Sequence, residues 1–210
     1  MPPVNEELVA AFRQKAELVN AVVQEKANLA EALQYVVEVC EKKAPCEMLA
    51  PEPSAEQGPL GPNKMPTRVK RIVAAPDLDD AQFESLKKAC DEKGFICLRE
   101  GLRNHLAGID VGFSQAMLGV AASGTCMCVT DKEEIRLAGM ISEIHVLALR
   151  KSQMYPDLPS VAQFLRDRMV QNEASYTSFI TGPSRTADIE RVAAVGVHGP
   201  LELHIILLED

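Results

Sequence analysis

The sequence predicts an α/β protein, a mostly parallel sheet flanked by helices. Short apolar runs of strand length alternate with amphipathic stretches of helix length from about residue 69 to residue 208. Several of those runs, such as Gly124 to Val129 and Ile144 to Leu149, are apolar along their length, as in strands covered on both faces. A length of 210 residues at 47% hydrophobic composition suits one good-sized core, so a single domain is expected.

The elements follow in order. Leu8, Phe12 and Val19 recur at helical spacing, which predicts a helix over Asn5 to Val19. The β-branched run Ala21-Val22-Val23 predicts a strand to Glu25, and Asn28 with Glu31 forms a capping-box pattern that opens a second helix to Lys43. Residues 1–44 are therefore a helix-strand-helix part of the domain. Residues 45–67 carry six prolines and two glycines with almost no periodicity, which predicts a surface loop or linker that is mobile or covers a site or a neighbouring subunit.

The main α/β region spans 68–210. Val69 to Ala75 is expected as a strand, and Asp79 to Lys93 as a helix with Asp79 and Gln82 as its capping box and Gly94 as its stop. Strands are expected at Phe95 to Leu98, Gly124 to Val129, Ile144 to Leu149, Tyr176 to Ile180 and Leu203 to Leu208, with a helix over Leu158 to Val170.

Composition excludes several function classes. The formal charge is −8 and the 22 Lys and Arg residues are scattered, which argues against a nucleic-acid surface. No apolar run approaches the roughly 20 residues that span a bilayer, and MPPVNEELVA has neither a basic nor an apolar leader region, so a cytoplasmic protein is expected. No pair among Cys40, Cys46, Cys90, Cys97, Cys126 and Cys128 has C-x-x-C spacing, so buried reduced thiols are expected and no metal site is assigned. Cys126 and Cys128, two apart on a strand, would supply at most half of a metal site.

The densest polar motif is TGPSRTADIE, from Thr181 to Glu190, placed after the apolar strand to Ile180. In a parallel sheet ligands bind beyond the carboxyl ends of strands, so this exit loop is the candidate site. Arg185 offers a planar fork to a carboxylate or phosphate, and Thr181, Gly182, Ser184, Thr186 and Gly199 supply hydroxyls and close backbone approach. A helical turn starting near Thr186 would add its amino-terminal dipole. Asp188 and Glu190 either accept protons or clamp Arg185 in a rigid turn, and His198 in GVHGP is a candidate general acid or base. His204 is expected in the core, His105 and His145 have no partner legible in sequence, and no dinucleotide, P-loop or nucleophile-elbow motif is present.

TGPSRTADIE, followed by GVHGP and LHIILL, resembles the carboxyl-terminal signature of the lactate utilization protein C family, the LUD domain. The resemblance implies a fold like that of the NagB, RpiA and CoA-transferase group. It also implies a place in L-lactate oxidation as an accessory subunit, with iron–sulfur clusters carried by partner subunits and none in this chain. A small carboxylate or phosphate would be the ligand of the loop, and self-association is left open. Ala122, in Ala121-Ala122-Ser123-Gly124-Thr125, stands where the family usually has an acidic residue, which favours binding or assembly over autonomous catalysis. The alternative is a stand-alone CoA-transferase-like or sugar-phosphate-isomerase-like enzyme using Glu190, Asp188 or His198.

Overall fold

The computed structural model describes residues 4–171, 175–187, 193–195 and 199–209. In chain order the elements are α1 (Glu6–Leu18), β1 (Ala21–Lys26), α2 (Leu29–Lys42), β2 (Gln57–Leu60), β3 (Pro66–Arg68), β4 (Ile72–Ala74), α3 (Asp80–Glu92), β5 (Ile96–Leu98) and β6 (Ile109–Gln115). There follow β7 (Leu118–Val120), β8 (Thr125–Val129), α4 (Glu133–Ile141), β9 (Ser142–Arg150), β10 (Met154–Tyr155), α5 (Leu158–Gln171), β11 (Thr177–Ile180), β12 (Arg185–Ala187), β13 (Ala193–Val195) and β14 (Glu202–Leu208).

The main sheet has the order β1-β14-β9-β6-β4-β5, and its five ladders are all parallel, as the alternating pattern predicts. Successive side chains of a strand point to opposite faces, so β14 sends Leu203, Ile205 and Leu207 towards α1, and Ile206 and Leu208 towards α2 and α3. Leu33, Val36 and Cys40 of α2 and Phe83, Leu86 and Cys90 of α3 close the second face. Phe12 and Ala16 of α1 close the first face, with Cys126 and Cys128 of β8 beside them. Burial pushes both of those thiols up, Cys128 to about 12, which fits reduced side chains packed as small apolar groups.

Local chemistry sets the helix starts. Asn5 accepts from the N–H groups of Glu7 and Leu8, Asn28 accepts from Glu31 N–H at 3.0 Å, and Asp79 and Gln82 complete the expected capping box of α3.

One expectation of sheet membership needs correction. β8 and β11 do not belong to the parallel sheet; they lie in a second, four-stranded sheet of order β10-β7-β8-β11, in which β8 pairs antiparallel with both β7 and β11. The central strand β6 and helix α4 were not foreseen. Gly112 of β6 is where α4 crosses, and a Cβ there would lie 2.0 Å from the Ala138 carbonyl oxygen. Gly112→Ala is expected to force α4 off the sheet at a cost of about 1–3 kcal/mol, measured as a lower urea midpoint. A wild-type midpoint would contradict this packing.

Residues 45–67 are held against the amino end of the main sheet. β2 and β3 form a hairpin, Glu47 bridges to Thr67, and Leu49 N–H donates to the Ala107 carbonyl at 2.9 Å. Both terminal nitrogens of Arg68 donate to the Glu52 carboxylate at 2.7 Å, and His105 Nδ1 lies 3.0 Å from the same carboxylate. The Arg68 hydrogen bonds hold the Glu52 carboxyl below the usual range. Prolines give the segment few ladder bonds, so side-chain ion pairs fix it instead.

Candidate functional site

The carboxyl ends of the parallel strands open into a cleft of about 730 Å³. After β4 the chain turns to α3 on one face, and after β6 it turns to the second sheet and α4 on the other. Adjacent strands whose connections leave in opposite directions create a crevice where α/β sheets hold ligands. The cleft is lined from four strand ends: Asp77 after β4, Gln115 closing β6, Arg150 closing β9 and Leu208 closing β14. Lys132, the N-cap residue before α4, also lines it.

Asp77 is half-buried, and its Oδ2 accepts the Gln115 backbone N–H at 2.8 Å. Burial pushes its carboxyl above the usual carboxylate range, with the Gln115 hydrogen bond and Lys132 working in the opposite direction. The other two acids at the cleft are committed elsewhere. Asp79 caps α3 through Gln82 N–H at 2.8 Å, while Asp131 is held low by Arg168 and accepts Tyr176 N–H at 2.6 Å. Arg150 and Lys132 are exposed, and neither makes a side-chain hydrogen bond or ion pair among the described residues. The cleft thus combines two uncommitted cations with a carboxyl suited to proton exchange, a pairing typical of ligand sites.

The TGPSRTADIE loop lies at the opposite end of the sheet. β8 runs from Thr125 near the carboxyl-terminal part of α1 to Val129 at the cleft, so its antiparallel partner β11 delivers Thr181 to the amino end. There Thr181 Oγ1 is 2.7 Å from Thr125 Oγ1, which is 2.7 Å from Ser123 Oγ, joining the AASGT and TGPSR motifs through a row of hydroxyls. Gly182 has φ +70°, and a Cβ there would lie 2.5 Å from the Val19 carbonyl oxygen, so glycine is required. Ser184 N–H donates to the Pro200 carbonyl at 2.9 Å, Gly199 packs on the Ser184 side chain, and Arg185 Nη2 donates to the Val19 carbonyl at 2.7 Å. Arg185 and Thr186 lie in β12, paired with β13, where a helical turn was expected. Asp188, Glu190 and His198 lie outside the described residues. Ala122 is exposed next to Ser123.

Two buried histidines have partners that the sequence did not show. His204 is buried as expected, with Nδ1 2.9 Å from the Tyr35 hydroxyl and Nε2 2.8 Å from Glu202. His145 lies 3.2 Å from the Ser114 hydroxyl, and complete burial lowers its pKa to about 4. The sequence reasoning missed Asp77, Lys132 and Arg150, although Asp77 and Lys132 lie three residues past the ends of β4 and β8 and Arg150 ends β9, where the strand-end rule looks for ligand groups.

Fold and cleft together define an α/β protein with a strand-end crevice at a strand-order switch. Residues 9–208 match the LUD domain, and the chain belongs to the LUD domain family. It is 32% identical over 101 residues to lactate utilization protein C of Anoxybacillus flavithermus, covering 48% of this chain and 44% of that protein. Over 103 residues it is 30% identical to lactate utilization protein C of Bacillus subtilis, covering 48% and 43%. The matched stretch is thus less than half the length of these relatives. A crystal structure of a DUF162 family protein from Deinococcus radiodurans superposes with a TM-score of 0.56 at 15% identity, over 98% of this chain and 99% of that one, and shares the fold. No helix among the described residues is long and apolar enough to cross a membrane.

Proposed function

We propose that this chain serves lactate utilization as an accessory subunit that works with iron–sulfur partners in L-lactate oxidation and binds an organic anion in the strand-end cleft. The role in lactate utilization is supported by the relatives named lactate utilization protein C. The observation that carries anion binding is the pair of uncommitted cations, Arg150 and Lys132, beside the raised carboxyl of Asp77. Arg150 and Lys132 hold the anionic group, and Asp77 gives or takes a proton at a neighbouring oxygen of the ligand.

The test is a pull-down of the tagged chain from its native cells grown on lactate, with lactate-dependent dye reduction assayed in the eluate. Activity arriving with brown iron–sulfur partners is the expected result. A colourless, inactive eluate holding this chain alone would remove the accessory role, and turnover of an acyl-CoA or sugar phosphate by that chain would establish the stand-alone enzyme instead.

The TGPSRTADIE loop is a second place for a small carboxylate or phosphate, favoured by the exposure of Arg185 beside the hydroxyl row. Arg185→Ala is then expected to lower lactate-dependent dye reduction of the assembled complex about tenfold, as for the loss of one charge-assisted hydrogen bond. Unchanged assembly and unchanged rate would rule the loop out as an anion site.

A further inference from the structure

The size and lining of the cleft bear on what kind of anion it takes. A volume of about 730 Å³ falls inside the roughly 300–1,000 Å³ range of pockets that bury ligands of drug or cofactor size. L-lactate, one methyl group on a hydroxy acid, would leave most of it to water. Much of the wall is apolar, formed by Leu78, Met117, Val129 and Ile135. Met117 is 43% exposed there, a large apolar side chain kept in water beside a cavity. Asp79 is committed to the start of α3 and Asp131 to Arg168 and Tyr176, which leaves half-buried Asp77 as the remaining carboxyl of the lining, and neither Arg150 nor Lys132 makes an ion pair among the described residues.

We infer that the cleft binds an extended organic anion, with an apolar or aromatic body of about nucleotide size laid across Met117, Val129 and Ile135 and its anionic end on Arg150 and Lys132, and that free lactate is not its ligand. This rests on the proposal that the cleft is the anion site, and it adds the class of ligand. A thioether surface such as Met117 adapts to a flat ring, and a planar guanidinium suits a carboxylate, sulfonate or phosphate end group. In an assembly that oxidises lactate, such a ligand would be a bound organic cofactor or carrier and not the acid being oxidised.

The experiment uses the full chain and 8-anilinonaphthalene-1-sulfonate, an aromatic body with one anionic group, followed by fluorescence and by titration calorimetry, with L-lactate as competitor. One molecule per chain is expected to bind. Arg150→Gln and Lys132→Gln, both at exposed positions, should each weaken it about tenfold, and Met117→Asp should abolish saturable binding. Lactate at millimolar concentration should leave the bound fraction unchanged.

Binding that is indifferent to all three substitutions would overturn the assignment of the ligand to this cleft. Displacement by lactate, with lactate itself giving a calorimetric signal lost in Arg150→Gln, would overturn the size argument and leave anion binding standing. Neither result touches the accessory role, which fails only if the pull-down brings no lactate-dependent activity.

Discussion

Asp110→Ala is expected to lower the unfolding free energy by about 3–5 kcal/mol, the usual cost of leaving a buried ion-pair partner behind. Asp110 is fully buried near the start of β6. One carboxylate oxygen accepts from Lys43 Nζ at 2.7 Å and from the Cys46 N–H at 3.0 Å, and the other accepts from the Ile72 N–H at 2.8 Å. Three elements of the fold therefore meet on one side chain: the end of α2, the entry to residues 45–67 and the start of β4. Removing it strands two backbone donors and leaves the Lys43 ammonium with the Glu143 carboxylate, 2.8 Å away, and the Ala44 carbonyl oxygen, 2.6 Å away. Urea denaturation measures the loss, and Asp110→Asn, which keeps one acceptor, should fall between Ala and wild type. A midpoint unmoved by Asp110→Ala would mean that the cluster is not the anchor its geometry suggests.

Acid should destabilise the protein through His145 before most carboxylates titrate. Burial holds its folded pKa at about 4, against an ordinary 6.5. Between those values the unfolded chain takes up a proton that the folded chain refuses. Stability is thus full above about pH 6.5 and falls as the pH drops towards 4, by on the order of 3 kcal/mol in total. The carboxyls held low by ion pairs, Glu25 and Glu52 among them, add their losses at the acid end of this range and below it. His145→Gln can still bond to Ser114 but cannot titrate. Unfolding free energies at pH 7, 6 and 5 should converge between the variant and wild type as the pH falls, and parallel curves would show that His145 is not the source.

Much of the scaffold was legible because its signals are local. Capping patterns at Asn28 and Asp79 and the apolar run of β14 each state their element within a few residues. β6 was hidden because Asp110, Gly112 and Ser114 interrupt its apolar pattern, and each does so to meet something distant in sequence: the Lys43 cluster, the α4 backbone and His145. Helix α4 has only nine residues, too few for periodicity to speak. The hydroxyls and arginine of TGPSR were conspicuous, and yet the direction of β11 was not, because one strand's sequence does not say which sheet it joins. The cleft was the least legible part. Asp77, Gln115, Lys132 and Arg150 come from four separate strand ends or helix starts, so no local motif contains them.

The pairing of β1 with β14 also governs how this chain is made. Among the described residues β1 is an edge strand, and its ladder partner lies about 180 residues further along the sequence. During synthesis its hydrogen-bonding edge and its apolar residues Ala21 and Val23 stay without their partner until Leu203–Leu208 has left the ribosome. Closing so long a loop comes late and is slow. A chaperone that shields the first helix-strand-helix unit should therefore act until Leu203–Leu208 emerges, and a ribosome stalled before residue 202 should present β1 as a sticky, unpaired edge.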